Sequence, residues 1–552
     1  MKTLIEEGVD TIFGYPGGAV LDIYDSLAQT DIRHILVRHE QAAVHAADAY
    51  ARAKSTVGVS LVTSGPGATN TVTGIASAYC DSIPIVVLTG QVPRHLIGND
   101  AFQEVDIVGI TRPCTKHNYL VQKTEDIAKT IKDAFYIARS GRPGPVLVDL
   151  PKDIISRSIS YKKPSPIDIK SYKPTYDPNI KQLKRVVALL KKAEKPMIFA
   201  GGGIILSGAS QELTKLAQML QIPVTTSLMG LGAFPGNDPL WLGMIGMHGT
   251  YRANMSTASC DLMIAIGVRF DDRVTGKTDA FASQAEIVHI DIDPTSIRKN
   301  IHVNVPVVGD CLNTLKRLNE ILEKEDFGNI AKRRIPWIEQ IMEWRKAQRL
   351  AYNQTDTIKP QYVVEQLHKL TKGNAIITTE VGQNQMWAAQ YYHFNQPNRF
   401  ITSGGLGCMG FGLPAAIGAQ VACPNDLVVD IAGDGSIQMN IQEIATAVQF
   451  KLPVKVIILN NQYLGMVRQW QELFYNEKYV WTQMSHSPDF VKLAEAFGAH
   501  GFRATKPEEV LPTLQKGLEI NGPVIMDFKV EQKECVYPMV PAGAPITEML
   551  LV

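Results

Sequence analysis

Two turns carry the residues best suited to chemistry. Gly433-Asp434-Gly435-Ser436 ends an apolar run at 427–432, and Asn460-Asn461 ends a second at 454–459. Asp434 and Asn461 supply hard oxygens of the kind Mg²⁺ prefers, and Mg²⁺ usually brings phosphate oxygens with it. Gly433 and Gly435 let main chain approach a phosphate closely. Open parallel sheets bind ligands at such strand ends. A Gly-Asp-Gly turn alone fits an ordinary strand end equally well. The paired asparagines, with 24 residues between Gly435 and Asn460, make a Mg²⁺–diphosphate site the stronger reading. Four further residues stand out. Glu40, where HILVRH meets EQAAVHAADAYARA, is by position a helix N-terminal charge. Arg273, in RFDDRVTG, can grip a carboxylate with two N–H groups or pair with Asp271 or Asp272. Trp470, in MVRQWQELF, is a pocket wall or a core residue. Met409, among the glycines of SGGLGCMGFGLPAAIGA, is by default a core filler.

Alternating strand and helix signals must position these groups. In residues 1–155, TIFGYPGG, HILVRHE, VGVSLVTSGPG, IPIVVLTGQ and GPVLVDLP read as buried strands, with small-residue helices between them. This predicts a doubly wound α/β unit. A Pro-, Ser- and Lys-rich linker follows at 156–180. A second α/β unit spans 181–325, with PMIFAGGG, IPVTTSLMG, LMIAIGVRFDDR and IVHIDIDP. A charged helical linker spans 326–358, and a third unit spans 359–535. The irregular tail 536–552 is placed to fold over another surface, such as an active site. The first and third units resemble each other. SGPGATNTVTGIASAYCDSIPIVVLTGQ lines up with AGDGSIQMNIQEIATAVQFKLPVKVIILNNQ, and Gly65 to Ile83 spans 18 positions where Gly433 to Leu452 spans 19. That scale suggests a duplicated domain.

Composition excludes several classes. The chain has 552 residues, 45% hydrophobic and 20% charged, as in an ordinary globular protein. Lys+Arg 55 against Asp+Glu 54 leaves no basic field for nucleic acid or an anionic membrane. No run reaches ~18 uninterrupted apolar residues, so no membrane span is expected. The start, MKTLIEEGVDTIFGYPGG, lacks a secretory core. Seven scattered cysteines without a CxxC point to free thiols in a reducing compartment. A cytoplasmic protein is expected.

The GDGS and Asn-Asn turns resemble the diphosphate–Mg²⁺ signature of thiamine-diphosphate enzymes. Over nearly the whole chain the resemblance is to the acetohydroxyacid (acetolactate) synthase family, large catalytic subunit. YPGGAVLDIYD, RHEQAA, TSGPGATN, GQVPRHLIGNDAFQE, SGRPGPVLVDLPKD, GVRFDDRVTGK, GQNQMWAAQ and NNQYLGMVRQWQE carry it. Such chains usually begin a few residues earlier, so the first helix looks shortened. The resemblance implies three mainly parallel-sheet domains: pyrimidine-binding, a Rossmann-like FAD domain, and diphosphate-binding. It implies thiamine diphosphate, Mg²⁺ and FAD as cofactors. Enzymes of the family decarboxylate pyruvate and join its two-carbon unit to pyruvate or 2-ketobutyrate, the first common step of valine, leucine and isoleucine synthesis.

By resemblance, Glu40 lies enclosed against the cofactor's pyrimidine ring, and Gln103 and Lys152 join it as catalytic-site residues. Pro16, Gly17, Val381, Gly382, Gln383, Asn384, Gly407, Met409, Gly433, Asp434, Gly435, Ser436, Asn461, Tyr463, Leu464, Gly465 and Met466 match thiamine-diphosphate contacts, with Met409 supporting its bent form. Relatives commonly carry histidine at 384, so Asn384 inherits no imidazole contact. Asp434, Asn461 and Tyr463 match the metal site. Phe102, Arg273, Met466 and Trp470 match the substrate pocket, with Arg273 on the carboxylate and Trp470 favouring 2-ketobutyrate. Gly201, Gly202, Gly203, Gly246, His248, Gly249, Arg252, Gly267, Arg269, Asp291, Asp293 and Asp310 match the FAD domain, although AGGG alone is a weak dinucleotide signal. The family further implies a dimer at least, with a tetramer also compatible, and a separate small regulatory subunit. Two alternatives are a pyruvate-oxidase-like thiamine/FAD enzyme and a non-catalytic homologue.

Overall fold

The structure is a computed structural model, which describes residues 1–551. Its eighteen strands form three six-stranded parallel sheets. The first contains β1 (Thr11–Tyr15), β2 (Arg33–Leu36), β3 (Gly58–Val62), β4 (Ile85–Gln91), β5 (His117–Leu120) and β6 (Val146–Pro151), ordered β2-β1-β3-β4-β6-β5. The middle sheet contains β7 (Pro196–Ala200), β8 (Val224–Thr226), β9 (Trp241–Met244), β10 (Leu262–Ile266), β11 (Glu286–Asp291) and β12 (Val305–Val308), ordered β12-β11-β10-β7-β8-β9. This is the order of a dinucleotide-binding sheet. The third contains β13 (Ile376–Thr379), β14 (Phe400–Ile401), β15 (Val428–Gly433), β16 (Lys455–Asn460), β17 (His500–Ala504) and β18 (Val524–Lys529), ordered β14-β13-β15-β16-β18-β17. The first and third sheets thus share one order, as a duplicated unit requires. The sequence reading missed β5, β9, β12 and β17, and each is an edge strand.

One helix pair joins the first and third units. Glu40–Lys54 is alanine-rich, starts on His39, whose side chain accepts from Gln41 N, and stops at left-handed Ser55 (φ 54). It packs on Gly412–Ala422, whose apolar face is also small. A Cβ on Gly418 would lie 2.0 Å from the Ala46 carbonyl oxygen, so the backbones touch. Buried Arg52 pairs with Asp48 at 2.7 Å and Asp81 at 3.2 Å and donates to Thr402 O at 2.8 Å. Removing one partner of such a buried pair costs about 3–5 kcal/mol.

The stretch 326–358, expected as a linker, carries the helix Ile330–Ala347, and this helix is docked. Trp337 is buried and donates to Pro196 O at 3.0 Å, while buried Arg334 donates to Leu190 O at 3.4 Å. The tail crosses the middle and third units through Val536 N→Gln469 Oε1 (2.8 Å), Val540 N→Met247 O (2.8 Å) and Lys277 N→Ala544 O (3.0 Å). No helix among the described residues is long and apolar enough to cross a membrane.

Candidate active site

The third sheet changes direction between β13 and β15, where the 380–382 turn follows β13 and the Gly433-Asp434-Gly435 turn ends β15, with the Asn460-Asn461 turn beside them at the end of β16. Asn384 ties them together, because its amide donates to Glu380 O and Ile431 O, both at 2.8 Å. Both donors are thereby used on main chain, so Asn384 acts as a strand-end staple with only Oδ1 left over. Ser436 Oγ closes the Gly433 turn, 3.3 Å from Gly433 N. Asp434 is buried, and burial pushes its carboxyl up to about 6. Its Oδ2 accepts from Ser487 Oγ at 3.2 Å, but Oδ1 has no partner. A buried carboxylate oxygen left bare is costly unless a cation meets it, so this atom fits Mg²⁺. Asn461 Oδ1 accepts from Tyr463 N at 3.1 Å, and its Nδ2 donates to Gln383 Oε1 at 3.2 Å. A Cβ on Gly435 would meet Leu464 at 2.8 Å, and one on Gly465 would meet Gln383 Oε1 at 2.1 Å. Among the described residues no group of three or more His, Cys, Asp or Glu could hold a metal. An ion at Asp434 therefore needs the amide of Asn461, residue 463 and a diphosphate to complete its shell.

The helix Gly465–Phe474 continues from this turn. Buried Gln469 accepts from Gln383 Nε2 at 2.9 Å and donates to Val536 O at 3.0 Å. Buried Arg468 donates to Glu534 O at 2.8 Å. These bonds fix the helix and leave Met466 and Trp470 half-buried on its other side. The Arg273 guanidinium lies 5.7 Å over the Trp470 ring. Its contact with Asp272, at 3.5 Å between largely exposed side chains, is weak. Arg273 and Trp470, 197 positions apart in sequence (470 − 273), are brought together.

The other half-site lies on the first sheet. Pro16 and Gly17 follow β1, and a Cβ on Gly17 would lie 2.5 Å from Thr63 Cβ. Left-handed Gly65 (φ +56) backs onto Gln103, itself at φ 60, and a Cβ there would lie 2.9 Å from Gln103 Cα. Glu40 Oε2 accepts from Asn70 Nδ2 at 2.9 Å. Phe102 is 89% exposed, and Lys152 is exposed just past β6. Glu40 is half-buried in the single chain. Among the described residues no hydrogen bond joins Glu40, Gln103 or Lys152 to the diphosphate turns or to half-buried Met409 and left-handed Gly407.

In the middle sheet the direction changes between β7 and β10. There the 201–203 turn meets Gly267 (φ +61), and a Cβ on Gly201 would lie 2.2 Å from Gly267 O. This junction is where a dinucleotide binds such a sheet. Gly202 opens the helix Gly202–Leu206. Asp291 ends β11 buried, with its carboxyl pushed up to about 6 by burial, and accepts from Asp293 N at 2.8 Å. Asp293 pairs with Arg142 at 3.2 Å, and Arg269 reaches Gly405 in the third unit. Gly246 (φ +107) and Gly249 form a tight turn past β9. His248 and Arg252 line a cavity of about 40 Å³ with Trp241, Gln390 and His393. Asp310 caps the helix Cys311–Leu322 by accepting from Asn313 N at 3.0 Å.

Sequence reasoning missed Glu380, Asp430 and Gln469, all buried beside the diphosphate turns. The signal for the first two was visible, because IITTE and LVVDIA each place an acid in an apolar strand. Nothing local marks Gln469, whose partners are 86 and 67 positions away.

Comparison with known proteins agrees with this geometry. Residues 1–110 match the thiamine pyrophosphate enzyme N-terminal TPP binding domain, 183–318 the central domain, and 380–528 the C-terminal TPP binding domain. The chain is 52% identical to the acetolactate synthase isozyme 3 large subunit of Escherichia coli K12, covering 100% of this chain and 97% of that protein. It is 51% identical to the acetolactate synthase large subunit of Buchnera aphidicola from Acyrthosiphon pisum, with coverage of 100% and 97%. The large subunit from Haemophilus influenzae is 49% identical, also with coverage of 100% and 97%.

Proposed function

Because the chain belongs to the acetolactate synthase large-subunit family of thiamine pyrophosphate enzymes, we propose how its residues divide the work of that reaction. The enzyme binds thiamine diphosphate, decarboxylates pyruvate, and joins the two-carbon unit to a second 2-keto acid in branched-chain amino acid synthesis. When bound, the cofactor supplies a nucleophilic carbon that holds the electron pair left by decarboxylation. Asp434, Asn461 and residue 463 would hold Mg²⁺, which would supply positive charge for the diphosphate. The bare, buried Asp434 Oδ1 is the observation that carries this assignment. Val381, Gly382, Gln383, Gly433, Gly435 and Ser436 shape the diphosphate bed, with Tyr463, Leu464 and Gly465 closing it. Met409 supports the cofactor from the neighbouring loop. Glu40 holds a proton at the pyrimidine nitrogen, with Pro16 and Gly17 beside it. Arg273 receives the substrate carboxylate and Trp470 walls the pocket for the second keto acid, with Met466 next to it. Phe102, Gln103 and Lys152 reach the substrate from the other half-site.

The two half-sites belong to different copies of the chain, so the working unit is a dimer at least. Each half exposes apolar side chains that a partner would cover, including Phe102 on the first unit and Trp481, 93% exposed, on the third. The junction of the Gly201–Gly203 turn and Gly267, with Asp291, Asp293 and Arg269 nearby, would hold FAD. A small regulatory subunit and a cytoplasmic location complete the reading. Glu40→Gln tests the proton assignment. Pyruvate consumption should fall by at least about a hundredfold, and an unchanged rate would remove Glu40 from the mechanism.

A further inference from the structure

The loop bearing Met409 runs from Ser403, just past β14, to the helix Gly412–Ala422, and buried groups grip it at both ends. At its start Asp81, from the first unit, accepts from Gly404 N at 3.0 Å and Gly405 N at 2.7 Å. Ser403 Oγ accepts from Cys408 N at 3.0 Å. At its end Glu380 accepts from Gly410 N at 2.6 Å through Oε2 and from Leu413 N at 3.2 Å through Oε1. Asn440 Nδ2 donates to Gly410 O at 2.6 Å.

Glu380 is fully buried, and so is Asp430 on the adjacent strand. Asp430 has one distant donor, Thr378 Oγ1 at 3.3 Å, and its Oδ2 has no partner. A Cβ on Gly412 would lie 2.2 Å from Asp430 Oδ1 and 2.6 Å from Glu380 N, so the turn is pressed onto both acids. Burial pushes both carboxyls up; Glu380 raises Asp430 further, while the loop amides at 410–413 pull Glu380 back down. Two such groups do not both ionise. Glu380 has a main-chain N–H on each oxygen and Asp430 has none, so the loop amides favour the charge on Glu380 over Asp430. A carboxylate on helix N-terminal N–H groups makes charge-assisted bonds that neutral groups do not match.

We propose that Glu380 is a positioning residue for the cofactor, its carboxylate anchoring the 410–413 turn so that Met409 is presented to thiamine diphosphate. This rests on the reading of Met409 as a cofactor support. Glu380→Gln keeps the size but turns an NH₂ toward one main-chain donor. In the full-length apoprotein, backbone hydrogen exchange at 410–413 should rise at least about tenfold, while the amides of β13 stay at the wild-type rate. Half-saturation by thiamine diphosphate should move up about tenfold, with the pyruvate KM within about twofold of wild type. Asp430→Asn removes no loop acceptor and should leave these quantities unchanged, and an equal loss there would overturn the anchor role. So would unchanged exchange in Glu380→Gln, or a rise that spreads through β13. Met409→Ala should weaken cofactor half-saturation without loosening 410–413. If it does not weaken it, the reading of Met409 falls and the proposal with it, while the exchange arm reports separately on the anchor. Should Glu380→Gln fail to fold, wild-type apoprotein decides. Gly410 and Leu413 amides must exchange at least about tenfold slower than those of Leu406 and Gly407, and equal rates would overturn the anchor.

Discussion

Trp470 and Arg273, the pair proposed to wall the substrate pocket, each look ordinary in the sequence and meet only in the fold. The indole is half-buried on a helix whose opposite side is locked by Arg468 and Gln469, so its position is fixed without being core. The guanidinium rests over its face, with only a weak carboxylate contact of its own. One methylene in such a pocket is worth about 1–3 kcal/mol. Trp470→Leu should therefore lower the ratio of 2-aceto-2-hydroxybutyrate to 2-acetolactate by about tenfold or more when both keto acids compete. An unchanged ratio would reassign the indole to packing. Asp434, Asn461, Arg273 and Trp470 were legible in the sequence because each sits in a distinctive local string. Gln469 was not, because its partners come from distant segments; Glu380 showed only as an acid closing an apolar run, with nothing local to mark the loop it holds.

At the scale of elements, central strands were legible because burial on both faces leaves a continuous apolar run. Several edge strands lack that run. β17 reads His-Gly-Phe-Arg-Ala and is mostly open to solvent. The helix pair Glu40–Lys54 and Gly412–Ala422 was visible only as two alanine- and glycine-rich stretches, since contact between them depends on the fold. A further element-level feature joins β4 to β6. Asp149 accepts from Thr89 Oγ1 at 2.7 Å and Gln91 Nε2 at 3.0 Å, and burial pushes its carboxyl up to about 7. Its folded pKa lies above the unfolded value of 3.8, so the unfolded chain gives up this proton first. The stability it contributes is lost as pH rises from about 4 to about 7. Asp149→Asn does not titrate. The Tm difference, variant minus wild type, should accordingly become more positive between pH 5 and pH 8, and a flat difference would contradict the shift.

At the scale of the molecule, the first and third sheets repeat one strand order, which the aligned segments from Gly65 and Gly433 had suggested. The resemblance already implied that the two half-sites come from different copies of the chain. Glu40 bonds to Asn70 on one face, while the Asp434 turn bonds within the third unit. If a partner supplies the missing wall, two defective proteins should repair each other. Glu40→Gln mixed and re-associated with Asp434→Ala should recover about a quarter of wild-type activity, since half the dimers are hybrids with one intact site. No recovery would mean that each site lies within one chain. The most direct test of the whole account is product analysis with pyruvate plus 2-ketobutyrate, with thiamine diphosphate, Mg²⁺ and FAD each supplied or withheld. The account predicts 2-acetolactate and an excess of 2-aceto-2-hydroxybutyrate, both lost without thiamine diphosphate or Mg²⁺. Acetyl phosphate or peroxide as the main product, or carboligation that persists without thiamine diphosphate, would contradict it.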